Sequence, residues 1–184
     1  VPVIERSILL GLVTSWYDNA VCVCGTHGKT TVSSLLTQIF MEAGRDISAV
    51  IGGKLEAIGG SGRLGSSEAM VCEACEFVDT FLKLYPDVAV ILNIDADHLD
   101  YFKTLDNIIA SFRKFAAKAT KCVIANGDDK NVRKALDDLA LPKLITYGSA
   151  ESNDYYPLNI QHHEGGRCSY DLMHHSQLID HVQL

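Results

Sequence analysis

Lys29 and Thr30 follow Gly28 in the run Gly25-Thr-His-Gly-Lys-Thr-Thr31, a set of residue types suited to holding polyphosphate. Phosphate oxygens are anionic acceptors, and bare glycines let successive backbone N–H groups of residues 25–31 point at them. The ammonium of Lys29 suits the β- and γ-phosphates, and the Thr30 hydroxyl suits Mg2+. The run is shorter than the common GxxxxGK[ST] loop, because Val23 stands five residues before Gly28 where that pattern has glycine. A bare GK[ST] carries little by itself; its setting decides. Ala20–Cys24 is a short continuous apolar run, as in a strand buried on both faces. Val32, Leu35, Leu36, Ile39, Phe40 and Ala43 recur at helical spacing, and Gly44 supplies a stop. The loop therefore sits between a buried strand and a helix N-terminus, where partial positive charge accumulates. The competing account is a tight strand-to-helix turn without a ligand.

A Mg2+-bound nucleotide needs acidic ligands from neighbouring strands. Glu73 and Glu76 follow the strand-like Ala69–Cys72, three residues apart as on one helical face. Asn93, Asp95, Asp97, His98 and Asp100 follow Val88–Leu92, the clearest buried strand in the chain. Both clusters fall at carboxyl ends of expected parallel strands, the edge at which such sheets bind ligands. Helix capping or solvation would explain any one of these acids alone.

The elements that must position them alternate. A lead-in helix is expected within Val1–Tyr17, a weak strand at 49–51, and a glycine-rich loop over 54–66. A short helix at Phe77–Leu84, a long amphipathic helix from Leu105 to Ala119 and a strand at Lys121–Ala125 follow. Asp129 is placed to cap a helix running to Leu139, and Leu144–Tyr147 reads as a further strand. Strands alternating with helices imply crossover units and a parallel sheet. From Tyr155 onward, β-prone pieces separated by Glu164-Gly-Gly166 and His175-Ser-Gln177 predict a small antiparallel meander flanking that sheet. The expected fold is thus α/β: a mostly parallel, phosphate-loop-type sheet flanked by helices, with the meander at the C-terminal end. Five of the seven histidines (His162, His163, His174, His175 and His181) fall in the meander. Alternating polar positions on a half-exposed sheet explain them more simply than a metal does.

The 184 residues fit one domain, with 47% hydrophobic and 21% charged residues, which excludes disorder as the main state. The net charge of −7 argues against nucleic-acid binding by charge. No apolar run approaches the length of a membrane span, and nothing resembles a signal peptide. The pairs Cys72-x-x-Cys75 and Cys22-x-Cys24 lie in or beside apolar runs rather than polar zinc-knuckle loops, so reduced thiols in the cytoplasm are expected. The chain opens on Val1 rather than Met, as an internal piece would.

Taken together, Gly25-Thr-His-Gly-Lys-Thr-Thr31, then Glu73-Ala-Cys-Glu76 with Asp79-Thr-Phe-Leu82, then Asn93-Ile-Asp-Ala-Asp-His98-Leu-Asp-Tyr101, resemble the central ATPase domain of the Mur ligases. The resemblance spans residues 1–184, with 1–18 as lead-in and 155–184 as meander. His27 in the loop points to the branch that joins L-alanine to UDP-N-acetylmuramate; a branch that attaches recycled murein peptide to the same sugar nucleotide shares it. The resemblance implies transfer of the ATP γ-phosphate to a carboxylate, then attack by an amine on the acyl phosphate. It implies that Lys29 and the loop Gly25, Thr26, His27, Gly28, Thr30 and Thr31 hold ATP. Thr30 and Glu73 would bind one Mg2+, His98 would help hold a second, and Asn93 would assist at the γ-phosphate edge. Lys29, Glu73 and His98 are the catalytic residues so implied. Cys75, Phe77 and Val78 depart from the common Glu-Ala-Asp-Glu-Ser-Asp, which leaves Glu76 and Asp79 without assigned roles. Arg113 is placed where several relatives carry a modified lysine, so no such modification is assigned. A uridine-nucleotide domain would precede Val1, and a C-terminal domain and an adenine-contacting His-Asn motif would follow Leu184. The isolated piece is expected to bind Mg-ATP weakly or not at all, and not to ligate. A P-loop kinase or a plain nucleotide-binding module is the reading from other classes.

Overall fold

The computed structural model describes residues 3–184. Its first helix, α1, is Arg6–Thr14, shorter than the expected lead-in. β1 (Asn19–Cys24) leads through the glycine loop into α2 (Lys29–Glu42), as the apolar patterning implies. β2 (Ser48–Leu55), β3 (Gly60–Arg63) and β4 (Ala69–Glu73) follow. The expected loop over 54–66 is therefore wrong in its first part: β2 extends to Leu55 and pairs antiparallel with β3. β3 is one of the two edge strands, and it is held from the side, by the Arg63 guanidinium donating to the Ile47 carbonyl and pairing with Asp46.

Phe77–Lys83 is a 3-10 segment broken by left-handed Val78 and Asp79, not a regular helix. β5 (Val88–Ile91) is followed by a one-turn α3 (Leu99–Phe102) and by α4 (Leu105–Ala116). β6 (Cys122–Asn126) leads to α5 (Lys130–Leu136). Asp129 caps α5 by accepting from the N–H groups of Asn131 and Val132, as expected, but α5 stops at Leu136 because Asp137 turns extended and Asp138 is left-handed. β7 (Leu144–Tyr147), β8 (Tyr155–His162), β9 (Cys168–His174) and β10 (Gln177–Gln183) complete the chain.

All ten strands form one sheet in the order β10-β9-β8-β7-β6-β5-β1-β4-β2-β3. β2, β4, β1, β5, β6 and β7 are parallel, and β9 pairs antiparallel with both β8 and β10. The meander extends the sheet rather than flanking it. It joins through a single parallel pair, Tyr147 opposite Tyr155.

α4 lays Ile108, Ile109, Phe112, Phe115 and Ala116 on one face of the sheet. There Phe81 stacks on Phe115 at 4.8 Å and meets Phe112 edge-on at 5.2 Å. Each such fully buried ring contributes about 1.5–3 kcal/mol relative to exposure. On the other face Val32 and Leu36 of α2 cover Val23, Val90 and Leu92. Register then fixes what the strand tips present. Val23 lies opposite Glu73, and Cys24 lies opposite Ile91, so the loop after β1 emerges between the two clusters that follow β4 and β5.

Candidate functional site

Gly28 ends the loop in a left-handed conformation (φ 84°), which L side chains rarely adopt, and acts as the N-cap of α2. No side chain caps this helix, so its first amides face outward as an anion-receptive end. The rest of the loop is braced from behind by Asn93. Its Oδ1 accepts from the His27 N–H at 2.8 Å, its Nδ2 donates to the His27 carbonyl at 3.0 Å, and its own carbonyl accepts from the Thr26 N–H at 3.1 Å. The Thr26 hydroxyl in turn accepts from the Asp95 N–H at 2.9 Å. Two of the residues that the resemblance assigns to ATP, Thr26 and His27, thus have their backbone N–H groups engaged by Asn93, and both ends of the Asn93 side-chain amide are turned to the loop backbone.

Lys29 folds back over the loop. Its ammonium donates to the Gly25 carbonyl at 2.6 Å and the Thr26 carbonyl at 3.2 Å, and it pairs with Glu76. The ammonium sits side-on to that carboxylate, 2.8 Å from Oε2 and 3.1 Å from Oε1, and only Oε1 accepts a well-angled hydrogen bond. Glu76 is 2% exposed, so its charge is held in the interior by Lys29. A separate surface cavity of about 510 Å3 is bordered by Tyr147, Tyr155 and Tyr170.

Thr30 and Glu73, the two residues that the resemblance assigns to one Mg2+, lie together: the Thr30 hydroxyl donates to Glu73 Oε1 at 3.1 Å. The Gly52 N–H donates to Glu73 Oε2 at 2.7 Å, fixing the carboxylate from its other side. His98 sits on the same rim in a left-handed conformation (φ 52°), with its ring 4.7 Å from that of Phe77. Its Nε2 lies 4.0 Å from Glu76 Oε1 and its Nδ1 lies 3.8 Å from Asp97. Left-handed Val78, Asp79 and His98 gather strained backbone at this rim, as functional sites often do.

Asp79 links the segment after β4 to the helices beyond. It accepts from the Tyr101 hydroxyl at 2.9 Å and from the Ser111 hydroxyl. The hydrogen bond to Asp79 raises the Tyr101 phenol above its ordinary pKa. Arg113 points away from the site, to the Ala135 and Asp137 carbonyls at the end of α5, so the face of α4 turned toward Asp79 carries Ser111. Glu76 and Asp79 are the residues whose place the sequence leaves open. Both fall in the irregular stretch after β4, where no periodicity assigns a direction.

The cysteines belong to the sheet. Cys22, Cys24 and Cys72 are buried, whereas Cys75 is exposed, so the two pairs do not present their sulfurs to one ion. A hydrogen bond with Cys72 and burial push the Cys22 thiol up, and burial followed by the Glu76 charge does the same to Cys24. They stay neutral thiols. Among the described residues no three His, Cys, Asp or Glu side chains gather as a ready metal site, and no helix is long and apolar enough to cross a membrane.

The Mur ligase middle domain family matches residues 23–184. The chain belongs to the Mur ligase family. Over all of this middle-domain chain, the UDP-N-acetylmuramate–L-alanine ligase of Caldanaerobacter subterraneus subsp. tengcongensis is 44% identical, and that of Acetivibrio thermocellus is 40% identical. In both cases the chain spans only 40% of the relative's length. Among solved structures, the UDP-N-acetylmuramate:L-alanyl-gamma-D-glutamyl-meso-diaminopimelate ligase of Neisseria meningitides superposes with a TM-score of 0.86 at 25% identity, covering 99% of this chain and 60% of that one. The UDP-N-acetylmuramate–alanine ligase of Thermotoga maritima shares the Mur ligase fold, with a TM-score of 0.80 at 18% identity over 96% of this chain and 39% of that one.

Proposed function

We propose that residues 1–184 are the ATP-binding unit of a ligase that joins L-alanine to UDP-N-acetylmuramate, with the flanking parts of the polypeptide supplying the sugar-nucleotide and amino-acid sites. The observation that carries this reading is the Thr30–Glu73 contact of 3.1 Å beside the uncapped start of α2. A hydroxyl and a carboxylate adjoining free helix amides suit a hard cation shared with phosphate oxygens. The oxygen-rich rim, with a buried Glu76 oxygen that lacks a hydrogen bond among the described residues, fits Mg2+. Mg2+ bound there supplies electrostatic stabilisation of phosphoryl transfer. Thr30 and Glu73 would hold one ion, and His98, through the Nε2 that faces the rim, would help hold a second.

In this scheme the substrate carboxylate attacks the γ-phosphorus of ATP and ADP departs. The amine of L-alanine then adds to the acyl carbon, and phosphate leaves as the amide forms. The chain's own part is orientation and charge. The outward amides from Gly28 onward and the Lys29 ammonium receive the phosphate oxygens, while Asn93 and Thr26 keep the loop in shape. The supply of ATP and the six free cysteines suit the cytoplasm.

Lys29→Ala in the full-length protein is expected to abolish Mg-ATP binding, and unchanged affinity would overturn the reading. ADP release that requires both L-alanine and UDP-N-acetylmuramate would support ligation. Release that requires a murein peptide instead, or turnover with a hydroxyl acceptor alone, would replace it with the recycling ligase or a kinase. Residues 1–184 alone should bind Mg-ATP weakly and form no amide, because separated partners lose effective concentration.

A further inference from the structure

Glu76 is a buried carboxylate compensated by the Lys29 ammonium, 2.8 Å away. His98 Nε2 lies 4.0 Å away, and among the described residues no other Lys, Arg or His side chain comes within ion-pair distance. The same ammonium is the group that the phosphate-loop reading assigns to the nucleotide. It cannot neutralise Glu76 and turn toward phosphates with the same effect. When Lys29 moves, the interior is left with a carboxylate that is 2% exposed, beside newly arrived negative charge. An uncompensated buried charge is strongly unfavourable, so Glu76 must then take up a proton or a replacement cation, and His98 beside it offers a second ligand for a cation.

We infer that Glu76 is a positioning residue for Lys29 in the empty site and becomes, once nucleotide draws Lys29 away, a ligand with His98 for a second divalent cation. This rests on the phosphate-loop reading above. It adds an order of events. The Lys29–Glu76 pair blocks the second cation position until phosphate enters, so the site acquires its full charge complement only when loaded. The contact geometry supports the exchange. Oε2 makes no hydrogen bond among the described residues, so once the ammonium leaves it has no partner. Oε1 is the atom that already faces His98. Phe77 packs against the His98 ring and limits its swing, keeping Nε2 on the Glu76 side.

Mn2+ is the probe, counted by electron paramagnetic resonance in the full-length protein with and without a non-hydrolysable ATP analogue. In the wild type a second Mn2+ should bind only with nucleotide present. Glu76→Gln should keep nucleotide binding while weakening the second Mn2+ by at least about tenfold, the usual scale for removing a group that supports a metal. Lys29→Met should admit Mn2+ without nucleotide, again at least about tenfold more tightly than in the wild type. The double variant should lose that gain. If Glu76→Gln does not fold, the Lys29→Met comparison still decides. Second-site Mn2+ affinity unchanged in Glu76→Gln, or no gain in Lys29→Met, would overturn the exchange. Failure of the wild type to bind the analogue, or full binding by Lys29→Met, would instead overturn the phosphate-loop reading beneath it.

Discussion

The Gly52 N–H donates a 2.7 Å hydrogen bond to Glu73 Oε2, and a methyl group on Gly52 would stand 2.5 Å from Glu73 Oε1. The backbone of β2 thus presses directly on the carboxylate that meets Thr30. Gly52→Ala is expected to push Glu73 off Thr30 and weaken Mg2+-dependent nucleotide binding by about tenfold. Unfolding by urea should change little, since Gly52 is exposed. Calorimetric titration of Mg-ATP against both proteins measures the first effect, and equal affinities would refute it.

Asn93 and the His27 backbone exchange two hydrogen bonds. Asn93→Ala removes both and should cost about 1–3 kcal/mol of stability at typical net values. It should also weaken ATP binding through a loosened loop, even though Asn93 is not aimed at the ligand. Asn93→Asp keeps the acceptor for the His27 N–H and loses the donor, so its nucleotide affinity should fall between Ala and wild type. An Ala variant with wild-type affinity would show that the loop keeps its shape unaided.

Asp79 holds a left-handed conformation and accepts from Tyr101 and Ser111. Asn tolerates that backbone and retains an acceptor, whereas Ala has neither advantage. Asp79→Ala is therefore expected to lower stability by about 1–3 kcal/mol, with Asp79→Asn close to wild type. Denaturant midpoints compare the three. Because Tyr101 lies in the helix that His98 caps, the Ala variant should also weaken Mn2+ binding in the presence of nucleotide.

Asp154 accepts from the Thr146 N–H at 2.7 Å and its hydroxyl at 3.0 Å. The Thr146 amide holds its carboxyl below the ordinary aspartate pKa, and the hydroxyl adds to this against the opposing effect of burial. A lowered folded pKa means that the ionised form stabilises the fold. That contribution is complete above the ordinary aspartate pKa of about 3.9 and is lost as the pH falls below it through the folded value. Asp154→Ala should lower the melting temperature near neutral pH by about 2–4 °C and flatten its decline in acid. Equal acid slopes for the variant and wild type would contradict this.

The strand–glycine–helix unit was legible because its apolar run, its glycines and its helical period all point the same way. Glu73 and His98 were legible as polar residues following buried strands. The hairpin of β2 and β3 was not. Gly52, Gly53, Gly59, Gly60 and Gly62 make that stretch look like coil, and what holds β3 is Arg63 reaching Ile47 and Asp46, contacts invisible to periodicity. Glu76 was visible as an acid but not as the partner of Lys29. That pairing depends on a fold-back of the lysine and on an irregular 3-10 segment that no repeat predicts. The apolar run before it puts Asn93 at a strand tip, yet its direction, inward to the His27 backbone, depends on contacts between two loops that no periodicity encodes.

Among the described residues, Tyr147 opposite Tyr155 is the one strand-to-strand pair between the last three strands and the rest of the sheet, with the Gly148 N–H donating to the Tyr155 carbonyl beside it. A ladder reduced to one rung transmits little torsion, so bending or sequence drift in 155–184 is absorbed there before it reaches the glycine loop. Substitutions that reshape 155–184 are therefore expected to leave the glycine loop, four strands away along the sheet, in place.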